Sequence, residues 1–221
     1  LNPDHGYKID KGDKLIAIAE DDDKVTFTGL VDEIKRPRTI TAKRAAPKAR
    51  NLLVIGWSEM GKAVLTELAQ FLPKGSTADI VSQERYTEEL LEQETSFGDL
   101  KAKHLKSTGE FSQLENLVSA KRYDEVLVLG YRGEKITEAE ADGQTLLATM
   151  QLTRLFQKEL KEGNAPRLVA EILDPLKVSL AKTSSVDDLV VSENLAALLV
   201  AQLSENPQLS TIFHDLFNPT K

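Results

Sequence analysis

Asn51-Leu52-Leu53-Val54-Ile55 runs without a break into the turn Gly56-Trp57-Ser58-Glu59-Met60-Gly61. The turn leads into residues whose apolar members, Val64, Leu65, Leu68 and Leu72, recur at helical spacing. A short apolar strand that enters a helix through a glycine-bounded turn is the opening unit of a nucleotide-type α/β fold. Further strand-sized segments follow at Ala78 to Ser82, His104-Leu105-Lys106, Asp124 to Gly130, Arg167 to Leu173 and Asp188 to Val191. Helical stretches separate them, the longest from after Ile136 to about Leu160. This alternation predicts the α/β class: a doubly wound, largely parallel Rossmann-type sheet with helices on both faces.

The chain has 221 residues, 41% hydrophobic and 29% charged, enough for one large domain and an appendage. No apolar run approaches the roughly 18 residues that a membrane-spanning helix needs. The sequence opens Leu1-Asn2-Pro3, without a Met or an apolar leader, which reads as an internal fragment of a longer protein. With no cysteine it has no disulfide, thiolate nucleophile or Cys-based zinc site, and the cytosol is the expected compartment.

A net charge of −7 argues against a nucleic-acid partner, since phosphate binding needs clustered cations. Lys35, Arg36, Arg38, Lys43, Arg44, Lys48 and Arg50 nevertheless form a basic strap without an acid among them. Upstream, Tyr7-Lys8-Ile9, the turn Asp10 to Asp13 and Lys14 to Ala19 alternate like strands. The expected organisation is therefore a β-rich segment over 1–34, a basic linker over 35–49 and a Rossmann-type domain over 50–221.

Gly56 to Gly61 stands where G-x-G-x-x-G would hold a pyrophosphate at a helix N-terminus, but Ser58 replaces the middle glycine and Glu59 brings a negative charge. These losses match a turn that no longer binds a dinucleotide. Glu84, just past the second strand and about 20 residues beyond the turn, is the candidate ribose ligand. Thr108-Gly109-Glu110, after the third strand, reads either as part of the crevice at the strands' carboxyl ends or as a simple turn. The candidate binding residues are thus Gly56, Ser58, Gly61, Glu84 and Gly109, and the candidate ligands a weakly bound nucleotide or Ca²⁺. Glu20-Asp21-Asp22-Asp23 offers carboxylates to Ca²⁺ but lacks an EF-hand's spacing, and reads first as a charged turn. His5, His104 and His214 have no partner at metal-ligand spacing, so no metal site is assigned. No catalytic set emerges, because Gly56 to Ala63 misses the Walker form at Ala63 and no nucleophile elbow is present.

From Asn194 to Ser204, Leu195, Leu198, Leu199 and Leu203 recur at helical spacing and are expected to pack on the sheet. Asn206-Pro207 breaks that helix, and Leu209, Ile212, Phe213, Leu216 and Phe217 form an apolar stripe behind it. The stripe calls for a partner, either its own domain or a second copy.

Taken in order, Asn51 to Trp57, Phe71-Leu72-Pro73-Lys74-Gly75-Ser76, Tyr123 to Leu129, Glu138 to Gln157, Val169-Ala170-Glu171-Ile172-Leu173-Asp174-Pro175 and Ser192-Glu193-Asn194-Leu195 resemble a known family. They resemble the RCK (Trk-type) domains that regulate potassium conductance, and more closely the cytosolic domains of Castor/Pollux ion channels. Tyr7 to Asp21 is similar to the end of the β-rich subdomain that follows a Rossmann core in Trk-type proteins. The resemblance implies a cytoplasmic regulatory domain, not an enzyme, joined to an upstream domain and a membrane pore of the same polypeptide. It also implies homo-oligomers in which ligand or ion binding shifts a ring of domains and moves the gate. Two other readings stay open at this point. One is a nicotinamide-dinucleotide oxidoreductase using Gly56, Gly61 and Glu84; the other is an oligomerisation scaffold whose crevice is filled by Trp57 and Met60.

Overall fold

The structure, a computed structural model, describes residues 8, 10–12, 48–87, 94–181 and 187–218. The chain divides into two units, Leu1–Ala46 and Pro47–Lys221, and the fold below is that of the second. Most of the expected upstream β-rich segment and of the basic strap, and the whole acidic cluster Glu20 to Asp23, lie outside the described residues.

β1 (Asn51–Ile55) is the central strand, and Leu52, Leu53 and Val54 are fully buried because both faces of a parallel sheet are covered. α1 (Glu59–Phe71) returns the chain to β2 (Thr77–Gln83), parallel to β1. β3 (Glu94–Phe97) and β4 (Leu100–Ser107) form an antiparallel hairpin, and β4 lies parallel to β2. α2 (Phe111–Ala120) then crosses to β5 (Glu125–Val128) on the other side of β1. α3 (Glu138–Leu155) and α4 (Gln157–Glu162) lead to β6 (Arg167–Ile172); a 3-10 turn at Pro175–Lys177 and α5 (Val178–Ala181) lead to β7 (Asp188–Val191). α6 (Ser192–Glu205) and α7 (Leu209–Phe217) follow. The sheet order is β3-β4-β2-β1-β5-β6-β7, with only the β3 and β4 pair antiparallel. This is the doubly wound, largely parallel sheet expected from the sequence.

Alternate residues serve opposite faces. Leu52, Val54, Ala78 and Ile80 join Trp57 and Leu65 beneath α1, while Leu53, Val126, Val128 and Ala170 join Leu114 and Leu152 beneath α2 and α3. A reciprocal capping box starts α3: the Thr137 hydroxyl accepts from the Glu140 amide, and the Glu140 carboxylate accepts from the Thr137 amide.

Several local expectations change. The third strand is eight residues long and is preceded by β3, where Gly98 turns the chain at φ 57°. The single long helix after Ile136 is two, parted at Phe156, and Gly163 closes the second in the left-handed region. Arg50 is not a free cation of the strap. It pairs with Glu125 and its amide donates to the Ser76 hydroxyl at 3.0 Å, which anchors it to the bottom of the sheet. Finally, α6 does not join the core: none of its residues is buried, and Leu195 and Leu198 are about half exposed.

Candidate functional site

A doubly wound sheet leaves a crevice where the strand order reverses, here at the carboxyl ends of β1 and β5. A cavity of about 50 Å³ lies there. The ends of the strands supply Gly56, Gln83, Gly109 and Tyr131, and α3 supplies Gln144 and Thr145. Of the five residues expected in the site, Gly56 and Gly109 line this cavity, and Ser58, Gly61 and Glu84 do not.

Each of the three outliers has another environment. Ser58 is the extended residue before α1, and its buried hydroxyl has no hydrogen-bond partner among the described residues. Gly61 faces Trp57: a Cβ there would stand 2.8 Å from the indole. Trp57 is 2% exposed and packs toward Phe97 with ring centroids 6.2 Å apart, so it fills the core under α1 and not the crevice. Met60, the other side chain expected to fill it, is 39% exposed. Glu84 forms an ion pair with Lys106, whose ammonium holds the Glu84 carboxyl below the usual carboxylate range.

Gln83, the last residue of β2, occupies the crevice in place of Glu84. Side chains alternate along a strand, so Val81 and Gln83 look into the cavity and Ser82 looks away, its hydroxyl 2.6 Å from His104 Nε2. The Gln83 carboxamide donates to Gln144 Oε1 at 3.2 Å and accepts from Arg85 Nε at 3.0 Å. Its backbone amide donates to the Tyr131 hydroxyl at 3.0 Å. Thr145, 2% exposed, also lines the cavity, and its buried hydroxyl has no hydrogen-bond partner among the described residues.

Tyr131 begins a chain of contacts that leaves the crevice. The neighbouring Gly130 amide donates to Glu171 Oε2 at 3.0 Å, and Arg132 Nη2 donates to Glu171 Oε1 at 2.6 Å. The Ser192 hydroxyl, in the first residue of α6, also donates to Glu171 Oε1. Glu171 is 6% exposed, and burial of a carboxylate is tolerated because these donors satisfy it. One side chain thus ties the segment after β5 to the start of α6. A second buried carboxylate, Asp142 of α3, is 0% exposed and accepts from the amides of Leu173 and Asp174 at 2.8 and 3.1 Å. Lys177 Nζ donates to it at 3.0 Å, which raises the Lys177 pKa.

Alkali should loosen both ends of the sheet, at Tyr131 after β5 and at Tyr123 before it. Burial pushes the Tyr131 phenol up from 10 to about 12, and burial with the Asp79 hydrogen bond pushes Tyr123 in the same direction. The folded chain keeps both phenols neutral while the unfolded chain ionises them. The stability is therefore intact below the ordinary phenol pKa of 10 and is lost as pH rises toward about 12. Tyr131 alone should contribute a loss of about 2–3 kcal/mol by the upper end of that window. Phenolate absorbance followed beside circular dichroism checks this: these tyrosines should ionise only as the fold melts.

Among the described residues, no group of three or more His, Asp or Glu could hold a metal ion, and no helix is long and apolar enough to cross a membrane. No protein-family model matches the chain. It is similar over 98% of its length to curated plant proteins: 24% identical to the ion channel CASTOR of Lotus japonicus, 24% to the ion channel DMI1 of Medicago truncatula and 24% to the ion channel POLLUX of Lotus japonicus. The chain spans 29%, 28% and 27% of the length of these relatives. Among solved structures, the crystal structure of the GsuK RCK domain superposes with a TM-score of 0.50 at 15% identity, covering 76% of this chain and 31% of that one. This likeness shows the fold. The resemblance to Castor/Pollux ion channels and to RCK domains stands on both comparisons.

Proposed function

We propose that this chain is a cytoplasmic gating domain of an ion channel and works by changing how copies of itself pack, without catalysing a reaction. The reading rests on likeness to ion channels along nearly the whole chain. One structural observation carries it further: the α6 and α7 pair projects an apolar surface that its own domain leaves uncovered. Neither helix has a buried residue, and Leu198, Val200, Leu216 and Phe217 are each more than half exposed. Isolated apolar side chains on a surface are ordinary, but Leu199, Leu203, Phe213 and Phe217 also line one apolar groove between the two helices, the kind of patch that marks a contact surface. A second copy is the occupant we assign to it.

The Glu171, Arg132 and Ser192 contacts give that surface a mechanical link to the crevice end of the sheet. A ligand or ion that moved the segment after β5 would tilt α6, and with it the packing between copies. In the full polypeptide that tilt would act on a membrane pore.

Truncation after Ser204 tests the assembly step. The shortened chain should stay folded and drop to a monomer by light scattering across a concentration series. A folded truncation that keeps the parent mass would remove α7 from the interface. Gating is tested in the full polypeptide carrying this chain, reconstituted in bilayers. Leu216→Glu with Phe217→Glu should change open probability and leave single-channel conductance alone, and unaltered gating would sink the proposal.

A further inference from the structure

The dinucleotide that a glycine-bounded turn in this fold implies does not fit the residues present. We infer that the protein itself has taken up the space a nucleotide would use, so the crevice admits only ligands of a few heavy atoms. In a dinucleotide site the first glycine makes the tight turn, the third lets the helix pack closely on the strand, and the middle one leaves room for the pyrophosphate; here that middle position is Ser58. Each remaining bare Cα meets protein, as a tight turn and close helix packing require at Gly56 and Gly61 and as Gln83 imposes at Gly109. A Cβ on Gly56 would stand 2.1 Å from the Leu129 carbonyl oxygen, and one on Gly109 would stand 2.7 Å from the Gln83 carboxamide. At Gly61 the neighbour is the Trp57 ring at 2.8 Å.

The remaining requirements fail by the same substitution of protein for ligand. Gln83 stands where a carboxylate would accept from a ribose diol, and its amide oxygen and nitrogen are already committed to Arg85 and Gln144. Glu84, the acid nearest in sequence, is held by Lys106 and does not line the cavity. Drug-sized and cofactor ligands occupy pockets of roughly 300–1,000 Å³. The cavity of about 50 Å³ falls well below that range. This inference holds whether or not the chain gates a pore.

The test has three parts. In calorimetry of the intact chain with NAD, NADH and ADP at millimolar concentration, no saturable heat is expected, and a submillimolar Kd for any of them overturns the inference. Ser58→Gly with Glu59→Ala should not restore binding, because neither side chain lies in the cavity. A gain of affinity there would place the defect in the turn and not in an occupied crevice, which also overturns it. Third, Gly61→Ala should lower the Tm by about 2–10 °C through overpacking against Trp57, and Trp57→Leu should relieve most of that loss. An equal loss in both backgrounds would show that Trp57 is not what Gly61 makes room for.

Discussion

Gly56→Ala is expected to destabilise the fold by about 2–6 kcal/mol in the absence of any ligand. Two separate costs combine. The backbone at Gly56 has φ 86°, where an L side chain is strained, and the new methyl would meet a carbonyl oxygen of the adjacent turn at 2.1 Å. Backbone cannot swing aside as a long side chain can, so β1 and the end of β5 would have to part. Gly163 supplies the comparison: it also has positive φ, at 70°, but nothing lies within 4 Å of its missing Cβ. Gly163→Ala should therefore cost only the conformational part, about 1–2 kcal/mol. Urea unfolding of the two variants, with matched m-values, checks the difference. Equal losses would mean that the close approach at Gly56 is relieved by relaxation.

Asp142→Ala should cost about 2–4 kcal/mol, mainly because two backbone amides lose a buried acceptor while Lys177 keeps partial access to water. The loss has several sources. Lys177 would keep its charge with only the more distant Asp174 carboxylate, 3.7 Å away, and the Leu173 and Asp174 amides would lose their acceptor. Asp142→Asn should fall between wild type and Ala, because the amide oxygen can still accept from one backbone N–H. Adding Lys177→Met to Asp142→Ala should recover part of the loss and leave the part owed to the amides. A full recovery would show that the amides find other partners.

These two sites differ in how far the sequence revealed them. Gly56 was legible because a wholly apolar strand before a glycine has few other uses, and β1, β2, β5 and β7 followed from the same apolar runs. Asp142 gave no such signal. In Glu138 to Asp142 it sits among alternating acids and alanines, and only the fold brings it beneath Leu173, thirty-one residues away. Glu171 was visible inside an apolar strand as the one charged residue among Val169, Ala170 and Ile172. Its partners were not visible, since Arg132 and Ser192 arrive from distant parts of the chain.

Glu84 lies outside the lining of the crevice for a simple physical reason. A strand shows alternate residues to opposite faces, so a candidate displaced by one position faces the wrong way. Counting from Val81, which belongs to the apolar alternation of β2, would have selected Gln83. Gln83 is neutral, so nothing in the sequence marks it as the residue facing the crevice. The β3 hairpin is not legible in the sequence because Glu94-Thr95-Ser96-Phe97 offers one apolar residue, Phe97, which is buried against Trp57. The exposed α6 leucines mislead in the opposite sense. Helical periodicity reports that a face wants cover and says nothing of which chain provides it.

The short antiparallel β3 has a consequence for the protein's behaviour when crowded or partly heated. Among the described residues, the margins of the sheet are β3 and β7, each four residues long, carrying Glu94 and Asp188 at their starts. Fibril growth needs a long, flat, uncharged margin onto which foreign strands can zip. Neither margin provides one, and reversing β3 by a tight turn ends the run of parallel strands on that side. Aggregation of this domain should therefore begin by unfolding, with no ordered strand-by-strand extension of the native sheet.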